Sequence, residues 1–417
     1  MISTKRNKTN SVIATTTSSS LHSQTLSSAE AISNNDDLLI EILFCLPVKS
    51  LLKFKSVSKH WLSLISSPNF SLRRSLICKQ VSGLFVRRPN TQEYDFINLD
   101  SNPSCAPFKT LSFGDSQSAI RVLQSCNGLL LCSSLQANST NRNRIHNYFI
   151  CNPTTKQYTT LPQLPTGNGV FRDYHGVNLA FDPSKSPHYK VIGVRNCACS
   201  QGHYQIDVYS TKTKTWRPSV STSVASTGVN FRLGVFWNSA ILWISYWRNS
   251  LYFDVDEEKL QEMPMPPIPD GWDERRVRYF GEARGHLHFL EVYSPCTALF
   301  NVYEMERDYS RWFVKYRVDL RIVATAFPKM VRTYLDPGNL HYYAFSILSV
   351  VLEENDEDSY LVVHLPKKAV QYNFKDMTFK KLHDFAPNPV PFNIEDESTL
   401  EFGWFDAFQY TESLSFV

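Results

Sequence analysis

One short stretch pairs two histidines with a carboxylate, the residue types that bind metal ions. It is His286-x-His288, followed by Glu291. On a β-strand alternate side chains point to the same face, so His286 and His288 share a face and Glu291 points away from it. We therefore interpret this stretch as part of a strand and expect no metal site there.

A second stretch combines Cys197 and Cys199 with His203. It lacks the Cys-x-x-Cys spacing and the second ligand pair of a structural zinc site. The sequence also contains no phosphate-binding loop, dinucleotide fingerprint or nucleophile elbow. It therefore predicts no catalytic residue, no cofactor and no metal ion.

The elements that carry these residues belong to a chain of 417 residues, long enough for two or three domains. Its formal charge is +4, which does not favour a dedicated binder of nucleic acid or of anionic membranes. Residues 1–75 have 9 basic and 4 acidic side chains, and residues 76–417 have 34 basic and 35 acidic ones. The excess of positive charge is therefore a property of the N-terminal part alone.

The cysteines and the apolar runs indicate where the protein is found. Nine cysteines without a regular framework are typical of reduced thiols in an intracellular protein. The longest apolar run, Leu233–Trp247, is shorter than the roughly 20 residues that cross a bilayer. We expect a soluble protein of the nucleus, the cytoplasm or both, with no membrane partner.

Residues 1–33 are rich in Ser and Thr and include a single acid, Glu30. Such a composition cannot bury a core, so we expect a disordered tail. An organelle transit peptide is the alternative, although only one Arg is present in this segment.

Residues 34–75 show a helical pattern. Asn34 or Asn35 can cap a first helix, whose apolar positions recur along one face up to Leu46 before Pro47 ends it. A short second helix follows, and a third is expected from about Ser56 to Ser66. The unit is too small to bury its own apolar side chains. Either the helices pack on the rest of the chain or a partner protein covers one face.

Residues 76–417 contain short apolar runs separated by turn residues, which is typical of an all-β domain. One pattern recurs in it: an apolar strand, a polar tight turn, and an aromatic residue or Leu six positions after the first polar residue of the turn. The pattern begins at Asn152, Ser210, Asp254, Glu306 and Asn373. A hairpin that recurs about every 50 residues is typical of a β-propeller. We expect about six blades, with the strands near Gly83–Arg87 and Tyr94–Leu99 pairing with the C-terminal segment to close the ring.

The helical segment resembles a known family. Residues 36–70 read DDLLIEILFCLPVKSLLKFKSVSKHWLSLISSPNF and are similar, almost without a gap, to the F-box of plant F-box proteins. Further motifs resemble the kelch-like, F-box-associated domain of the same family: SCNGLL at 125–130, NPTT at 152–155 and YTESL at 410–414. The resemblance implies an F-box over 34–75 and a propeller-like recognition domain over 76–417.

The resemblance also implies a function. A protein of this family is a non-catalytic substrate receptor of a Skp–cullin–F-box ubiquitin ligase, whose F-box binds the Skp-type adaptor and, through it, the cullin. The motif positions that form the small core or face the adaptor are Leu38, Leu39, Ile42, Leu46, Pro47, Leu51, Leu52, Val57 and Trp61. The target protein and the residues that bind it are not identified by the sequence.

One departure from the family pattern leaves alternatives open. Asn34-Asn35 stands where the family has Leu-Pro, which normally extends the contact with the adaptor. Weaker adaptor binding would favour a scaffold or regulator that works outside a ligase. Because propellers have many functions, a glycan-binding module or an enzyme is a further alternative.

Overall fold

The structure is a computed structural model. It describes residues 35–77, 80–100, 106–113, 119–137, 144–165, 174–196, 203–224, 228–295, 297–386 and 398–417. The predicted disordered tail (1–33), Asn34, Cys197 and Cys199 lie outside these residues. The chain divides into two compact units, Met1–Leu46 and Pro47–Val417, and each is described by itself.

Helices occupy the N-terminal part of the described chain, as expected. The first unit contains α1 (Asp36–Phe44), and the second begins with α2 (Val48–Phe54), α3 (Lys59–Ile65) and α4 (Pro68–Ile77). The third helix begins later than expected from Ser56, because the Ser58 side chain accepts a hydrogen bond from the Trp61 backbone N–H (3.1 Å) and so caps the helix there. No helix of the described residues is long and apolar enough to cross a membrane.

The rest of the described chain is mainly β-structure. The strands are β1 (Gly83–Arg87), β2 (Tyr94–Asn98), β3 (Ile120–Cys126), β4 (Leu129–Ala137), β5 (Arg144–Asn152), β6 (Gln157–Thr160), β7 (Tyr174–Ala180), β8 (Lys190–Asn196), β9 (His203–Ser210), β10 (Thr215–Val224), β11 (Val235–Trp237), β12 (Ala240–Trp243), β13 (Ser250–Asp254), β14 (Lys259–Met263), β15 (Val277–Ala283), β16 (His286–Glu291), β17 (Leu299–Met305), β18 (Trp312–Asp319), β19 (Ser346–Val351), β20 (Tyr360–Leu365), β21 (Lys368–Asn373), β22 (Phe379–Asp384) and β23 (Ala407–Tyr410). A short helix, α5 (Arg321–Ala326), lies between β18 and β19.

These strands form the six blades of a propeller, which confirms the expected fold class. Blade 1 is the sheet β2-β1-β23, and blades 2 to 6 are successive four-stranded antiparallel meanders, β3–β6, β7–β10, β11–β14, β15–β18 and β19–β22. Clusters of buried apolar side chains fill the spaces between blades, as in the cluster that joins β15–β18 to β19–β22.

The C-terminal strand closes the ring in blade 1. Strand β23 pairs antiparallel with β1, with Phe408 opposite Phe85 and Tyr410 opposite Gly83. An antiparallel strand from the far end of the chain removes the exposed edge that β1 would otherwise present. The predicted closure of the propeller is therefore confirmed.

The recurrent sequence pattern corresponds to the hairpin between the third and fourth strands of a blade. In three hairpins the first polar residue accepts hydrogen bonds from the backbone N–H groups two and three positions later: Asn152, Asp254 and Asn373, at 2.8–3.2 Å. The residue four positions after each has a positive φ (Lys156, Glu258 and Met377). Asx side chains stabilise tight turns in this way.

Tryptophan at the sixth position of this pattern links neighbouring blades. Trp216 Nε1 donates to the Pro162 carbonyl (3.0 Å), and Trp312 Nε1 donates to the Pro264 carbonyl (2.9 Å). Each proline follows the outer strand of the preceding blade. The half-buried indole therefore packs its ring against the protein and also satisfies its N–H donor.

The propeller has two ends, which we name by the direction of the innermost strands β3, β7, β11, β15, β19 and β23. The upper face is the end at which these strands begin, and the lower face is the end at which they finish. The tight hairpin turns, including the Asn152 turn, lie at the lower face. The C-terminal tail (411–417) is fixed there, because Asn152 Nδ2 donates to the carbonyls of Ser413 and Ser415 (3.1 and 2.8 Å).

Candidate functional site

Helix α1 begins with a cap that the sequence motif does not contain. Asn35 Oδ1 accepts hydrogen bonds from the backbone N–H groups of Asp37 (3.1 Å) and Leu38 (3.2 Å). Asp36 and Asp37 lie in the first turn, where the positive end of the helix dipole stabilises negative charge. The expected capping role is thus confirmed for Asn35. Although this residue departs from the family pattern, its side chain stabilises the start of α1.

The structure places the predicted adaptor-binding residues in different environments. Leu39 and Leu51 are buried, with 3% and 0% of their surfaces exposed. Leu38, Ile42 and Val57 are exposed, at 50%, 47% and 61%. The remaining four are intermediate or exposed: Leu46, Leu52 and Trp61 are half-buried, and Pro47 is exposed. Neighbouring residues of one motif, such as Leu38 and Leu39, therefore have different physical roles.

Helices α2 and α3 are held together by an aromatic contact. The rings of Phe54 and Trp61 meet edge to face with their centroids 5.2 Å apart. Val57 lies in the short connection between the two helices, and Leu62 on α3 is also exposed (45%). Leu62 is an exposed apolar residue that is not among the predicted adaptor-binding residues. Its only signal in the sequence is its place directly after Trp61.

The histidine pair of blade 5 is used within the sheet. His286 Nδ1 lies 2.7 Å from Glu304 Oε1, and the buried His288 has its Nε2 3.6 Å from Glu304 Oε2, an electrostatic contact beyond hydrogen-bond distance. Burial lowers the pKa of His288, although Glu304 opposes this effect. Glu291 contacts Arg275 instead (3.2 Å). Among the described residues no group of three His, Cys, Asp or Glu side chains is arranged to hold a metal ion.

The central channel contains a cavity of about 270 Å³. Polar side chains at its wall form hydrogen bonds between blades: Gln124 with the backbone of Leu179 (2.7 and 3.1 Å), and Gln409 with the Glu282 carbonyl (3.0 Å). Asp182 and Arg284 at the wall contact Ser184 and Glu354. At this wall Gln124, Gln409 and Arg284 thus contact other blades, whereas Asp182 stabilises its own turn.

The upper face of blades 4 to 6 has a different character. Arg276, Arg278 and Arg332 lie there together with the aromatic side chains of Trp272 and Tyr293, whose rings meet at 5.4 Å. These residues come from separate connections and from the start of β15. No spacing in the sequence relates these residues, so the sequence alone does not predict that they lie together.

Comparison with known proteins adds the family. Residues 35–73 match the family model of the F-box domain, and residues 84–291 match that of the F-box associated beta propeller domain. The Arabidopsis thaliana F-box protein At5g07610 is 41% identical over 382 residues, which cover 86% of this chain and 87% of that protein. The Arabidopsis thaliana F-box protein At5g49610 is 27% identical, with 70% and 81% covered.

The solved structure that we compare is more distant. A chain of the nidogen/laminin complex aligns with a TM-score of 0.39 and 9% identity, covering 79% of this chain and 99% of that chain. The family follows instead from the sequence relatives and from the two matched domains. The chain belongs to the plant F-box proteins that combine an F-box with an F-box-associated β-propeller domain.

Proposed function

We propose that this protein is the substrate-recognition subunit of a Skp–cullin–F-box E3 ubiquitin ligase. The observation that carries the proposal is the exposure of large apolar side chains in the matched F-box segment, at Leu38, Ile42 and Val57. Removing such side chains from water stabilises a complex by about 25 cal/mol per Å² of apolar area. A Skp-type adaptor is the partner that covers them, and the cullin joins through the adaptor.

The predicted adaptor-binding residues then divide into two groups. Leu38, Ile42 and Val57 contact the adaptor directly, whereas the buried Leu39 and Leu51 hold the helices in shape. Leu46, Pro47, Leu52 and Trp61 have intermediate or exposed positions and contribute to the edge of the contact.

The propeller binds the target protein, and the chain itself catalyses no reaction and needs no cofactor. Support comes from the near balance of charge over residues 76–417, which suits recognition of a protein rather than of nucleic acid. We also propose that the protein works in the nucleus, the cytoplasm or both. The free cysteines Cys126, Cys132 and Cys151 support this location, since reduced thiols are usual inside cells.

Co-purification with a tagged Skp-type adaptor tests the proposal. The full chain should be recovered with the adaptor, and Ile42→Asp and Val57→Asp should each reduce recovery at least about tenfold, because a charge replaces an apolar contact. Val314→Asp is the matched control, since Val314 is an exposed apolar residue (41%) on the outer strand of blade 5. Failure of the wild-type chain to bind, or equal loss in the control, would contradict the adaptor role.

A second candidate is an F-box protein that acts outside a ligase, as a scaffold or regulator. The observation in its favour is that Asn35 caps α1 with its amide oxygen where family members extend an apolar contact. Probing the same co-purification for cullin separates the two candidates. Recovery of adaptor and cullin together supports the ligase, and recovery of adaptor without cullin supports the scaffold.

A further inference from the structure

Two connections between blades and the start of one strand bring positive charge together at the upper face of the propeller. Arg276 ends the connection from blade 4, Arg278 lies at the start of β15, and Arg332 and His341 lie in the connection from blade 5 to blade 6. We call Arg276, Arg278, Arg332 and His341 the arginine cluster. Partial burial is the largest cause that lowers the pKa of His341, and the charges of Arg278, Arg332 and Arg276 lower it further, so these side chains lie close to one another.

Arg332 is held rigidly, yet its charge is not neutralised by the groups that hold it. Its Nε and Nη2 donate to the hydroxyl and carbonyl oxygens of Ser398 (3.1 and 2.9 Å), and its Nη1 donates to the His341 carbonyl (3.0 Å). All three acceptors are neutral. The guanidinium is thus positioned, and its positive charge still acts on neighbouring groups.

Arg278 has the most unfavourable environment of the cluster. A β-bulge between Val277 and Tyr279 makes it the extra residue of β15, and such bulges turn a side chain out of the regular alternation. Within the described residues its guanidinium has no hydrogen bond and no ion pair. Burial lowers its pKa, and the charges of Arg276 and Arg332 lower it further. A half-buried cation among cations is costly to the free protein.

Arg276 is only partly compensated. Its Nη1 lies 2.7 Å from the Glu274 carboxylate, and both side chains are 38% exposed, so solvent weakens this pair. The guanidinium lies over the Trp272 ring at 5.1 Å, and its buried Nε has no hydrogen-bond partner among the described residues. An oriented Arg on an aromatic ring is a frequent element of protein-binding surfaces.

Aromatic side chains lie at the same face of the propeller as the cluster. Tyr293 donates to the Glu291 carboxylate (2.8 Å), which also pairs with the buried Arg275 (3.2 Å). Tyr334 is 67% exposed and its hydroxyl lies 3.4 Å from the Ser398 hydroxyl, while Trp247 is half-exposed in the neighbouring blade. Tyr, Trp and Arg are the residues enriched at the energetic centres of protein interfaces.

We propose that the arginine cluster binds an anionic side chain, a carboxylate or a phosphate, in an exposed peptide segment of the target protein, with Arg278 as its main ligand. The proposal rests on the proposed function, because it names the class of target that the receptor selects. A planar guanidinium can donate two parallel hydrogen bonds to either anion. Nucleic acid is disfavoured, because residues 76–417 have 34 basic and 35 acidic side chains.

A peptide library presented to the full chain, co-purified with its Skp-type adaptor, tests the proposal. The peptides share randomised flanks and differ at one central residue: Asp, Glu, phosphoserine, phosphothreonine, Asn or Lys. We expect selection of the anionic centres over Asn and Lys. Preference for Asp and Glu identifies a carboxylate ligand, and preference for the phosphorylated centres identifies a phosphate. Equal selection of all centres would overturn the proposal.

Variants identify the residues responsible. Arg278→Met and Arg332→Met should each weaken binding of the selected peptide at least about tenfold, because each removes a charge-assisted contact. Arg307→Met is the matched control: Arg307 is an exposed arginine in the β17–β18 turn at the lower face, and its loss should leave binding unchanged. Equal weakening by Arg307→Met, or displacement of the peptide by an RNA homopolymer at the same site, would overturn the proposal.

Stability separates a binding role from a structural one. Removing an unsatisfied, half-buried charge should leave the thermal midpoint of Arg278→Met unchanged or raised, while a structural arginine would lower it. Lower midpoint together with lost binding would overturn the proposal. Adaptor recovery should be the same for wild type and Arg278→Met, so a failure of adaptor binding by the wild type concerns the proposed function alone.

The sequence itself contains a competing anion. Glu395, Asp396 and Glu397 directly precede Ser398 in the sequence and lie outside the described residues. The variant E395Q/D396N/E397Q is therefore measured in parallel. Binding of the selected peptide by both proteins supports the proposal, and binding by the variant alone would overturn it, since these acids would then be the natural ligand of the cluster.

Discussion

The helical segment and the upper face of the propeller both present side chains that are in an unfavourable environment in the free protein, but these side chains differ in chemical type. The helical segment exposes aliphatic groups, Leu38, Ile42 and Val57, together with single lysines such as Lys53 and Lys59. The upper face presents guanidinium groups, above all Arg278. Apolar exposure is relieved by any complementary apolar surface, whereas a crowded cation needs an anion. The two proposals thus assign different physical requirements to the two regions: apolar groups for the partner of the helices and an anion for the partner of the upper face.

This difference suits a receptor with one constant and one variable partner. Apolar contacts follow buried area and shape, which are the same whenever the same adaptor binds. Charge-assisted contacts select among partners, because an unmatched charge is costly. Changes that act on one region alone test whether the two regions differ in this way.

The largest expected effect concerns the buried and the exposed residues of the F-box segment. Leu51→Asp places a carboxylate in a fully buried position of α2 and should destabilise the helices by more than about 4 kcal/mol. Ile42→Asp alters a side chain that is 47% exposed and should change stability by less than about 1 kcal/mol, while it weakens adaptor binding at least about tenfold.

Circular dichroism of the helical signal during thermal unfolding, combined with adaptor pull-down, measures both quantities. Two results would show that the division between supporting and contacting residues is wrong. One is a Leu51→Asp variant that loses its helical fold but still binds the adaptor, and the other is an Ile42→Asp variant that loses its helical fold but keeps adaptor binding. Leu51→Met is the control for the buried site, since it keeps a similar volume and should cost less than about 1.5 kcal/mol.

The division of the F-box residues shows what the sequence could and could not provide. The helices were predictable, because capping residues, Pro47 and the apolar periodicity are local signals. The hairpins were predictable for the same reason, since Asn152, Asp254 and Asn373 cap their own turns. The closing pair β1–β23 followed from the need to cover an edge. Which member of an adjacent pair such as Leu38 and Leu39 is exposed needed the packed structure.

The arginine cluster could not be predicted from the sequence, for two physical reasons. Arg278 and Arg332 are separated by a blade and its connection, so only the ring of blades brings them together. The bulge at Arg278 also breaks the alternation by which a strand pattern assigns side chains to faces. The hairpin between β17 and β18 also differs from the sequence prediction. The pattern placed the first polar residue of the turn at Glu306, but it is Asp308 that stabilises the turn, by accepting a hydrogen bond from the Ser310 N–H (3.0 Å).

Salt provides the next test of the comparison. Raising the salt concentration from about 0.05 M to about 0.5 M should weaken binding of an anionic peptide to the upper face about tenfold, because ions screen partly exposed charges. Adaptor binding should depend less steeply on salt over the same range, because the contacts proposed for Leu38, Ile42 and Val57 are apolar and are not screened by ions. Titrations of both partners against the wild-type chain measure this. Equal salt dependence would remove the distinction between the two surfaces.

A change at a lower-face turn should affect stability alone. Lys214 has a φ of +57° in the turn before β10, a conformation that costs an L-residue about 1–2 kcal/mol. Lys214→Gly should stabilise the propeller by about 0.5–1 kcal/mol after the larger chain entropy of Gly is subtracted. Lys212→Gly in the same turn is the control and should destabilise it slightly, because Lys212 is not in that conformation. Chemical denaturation followed by tryptophan fluorescence measures both, and peptide and adaptor binding should be unchanged.

The smallest expected effect is a pH dependence confined to the upper face. Burial lowers the pKa of His341, and Arg278, Arg332 and Arg276 lower it further, so this side chain is neutral near pH 7 in the free protein. An anion bound in the cluster offsets the arginine charges and raises that pKa. The complex therefore takes up protons as the pH falls below about 6.5, and affinity rises in that window. Because His341 is exposed, the gain should be only about twofold for an Asp-centred peptide, which does not itself titrate there. His341→Asn should abolish the pH dependence of peptide binding without weakening that binding at pH 7.5. Adaptor binding, the control, should not show this pH dependence. If the pH profile of peptide binding is unchanged in His341→Asn, the group that titrates is not His341.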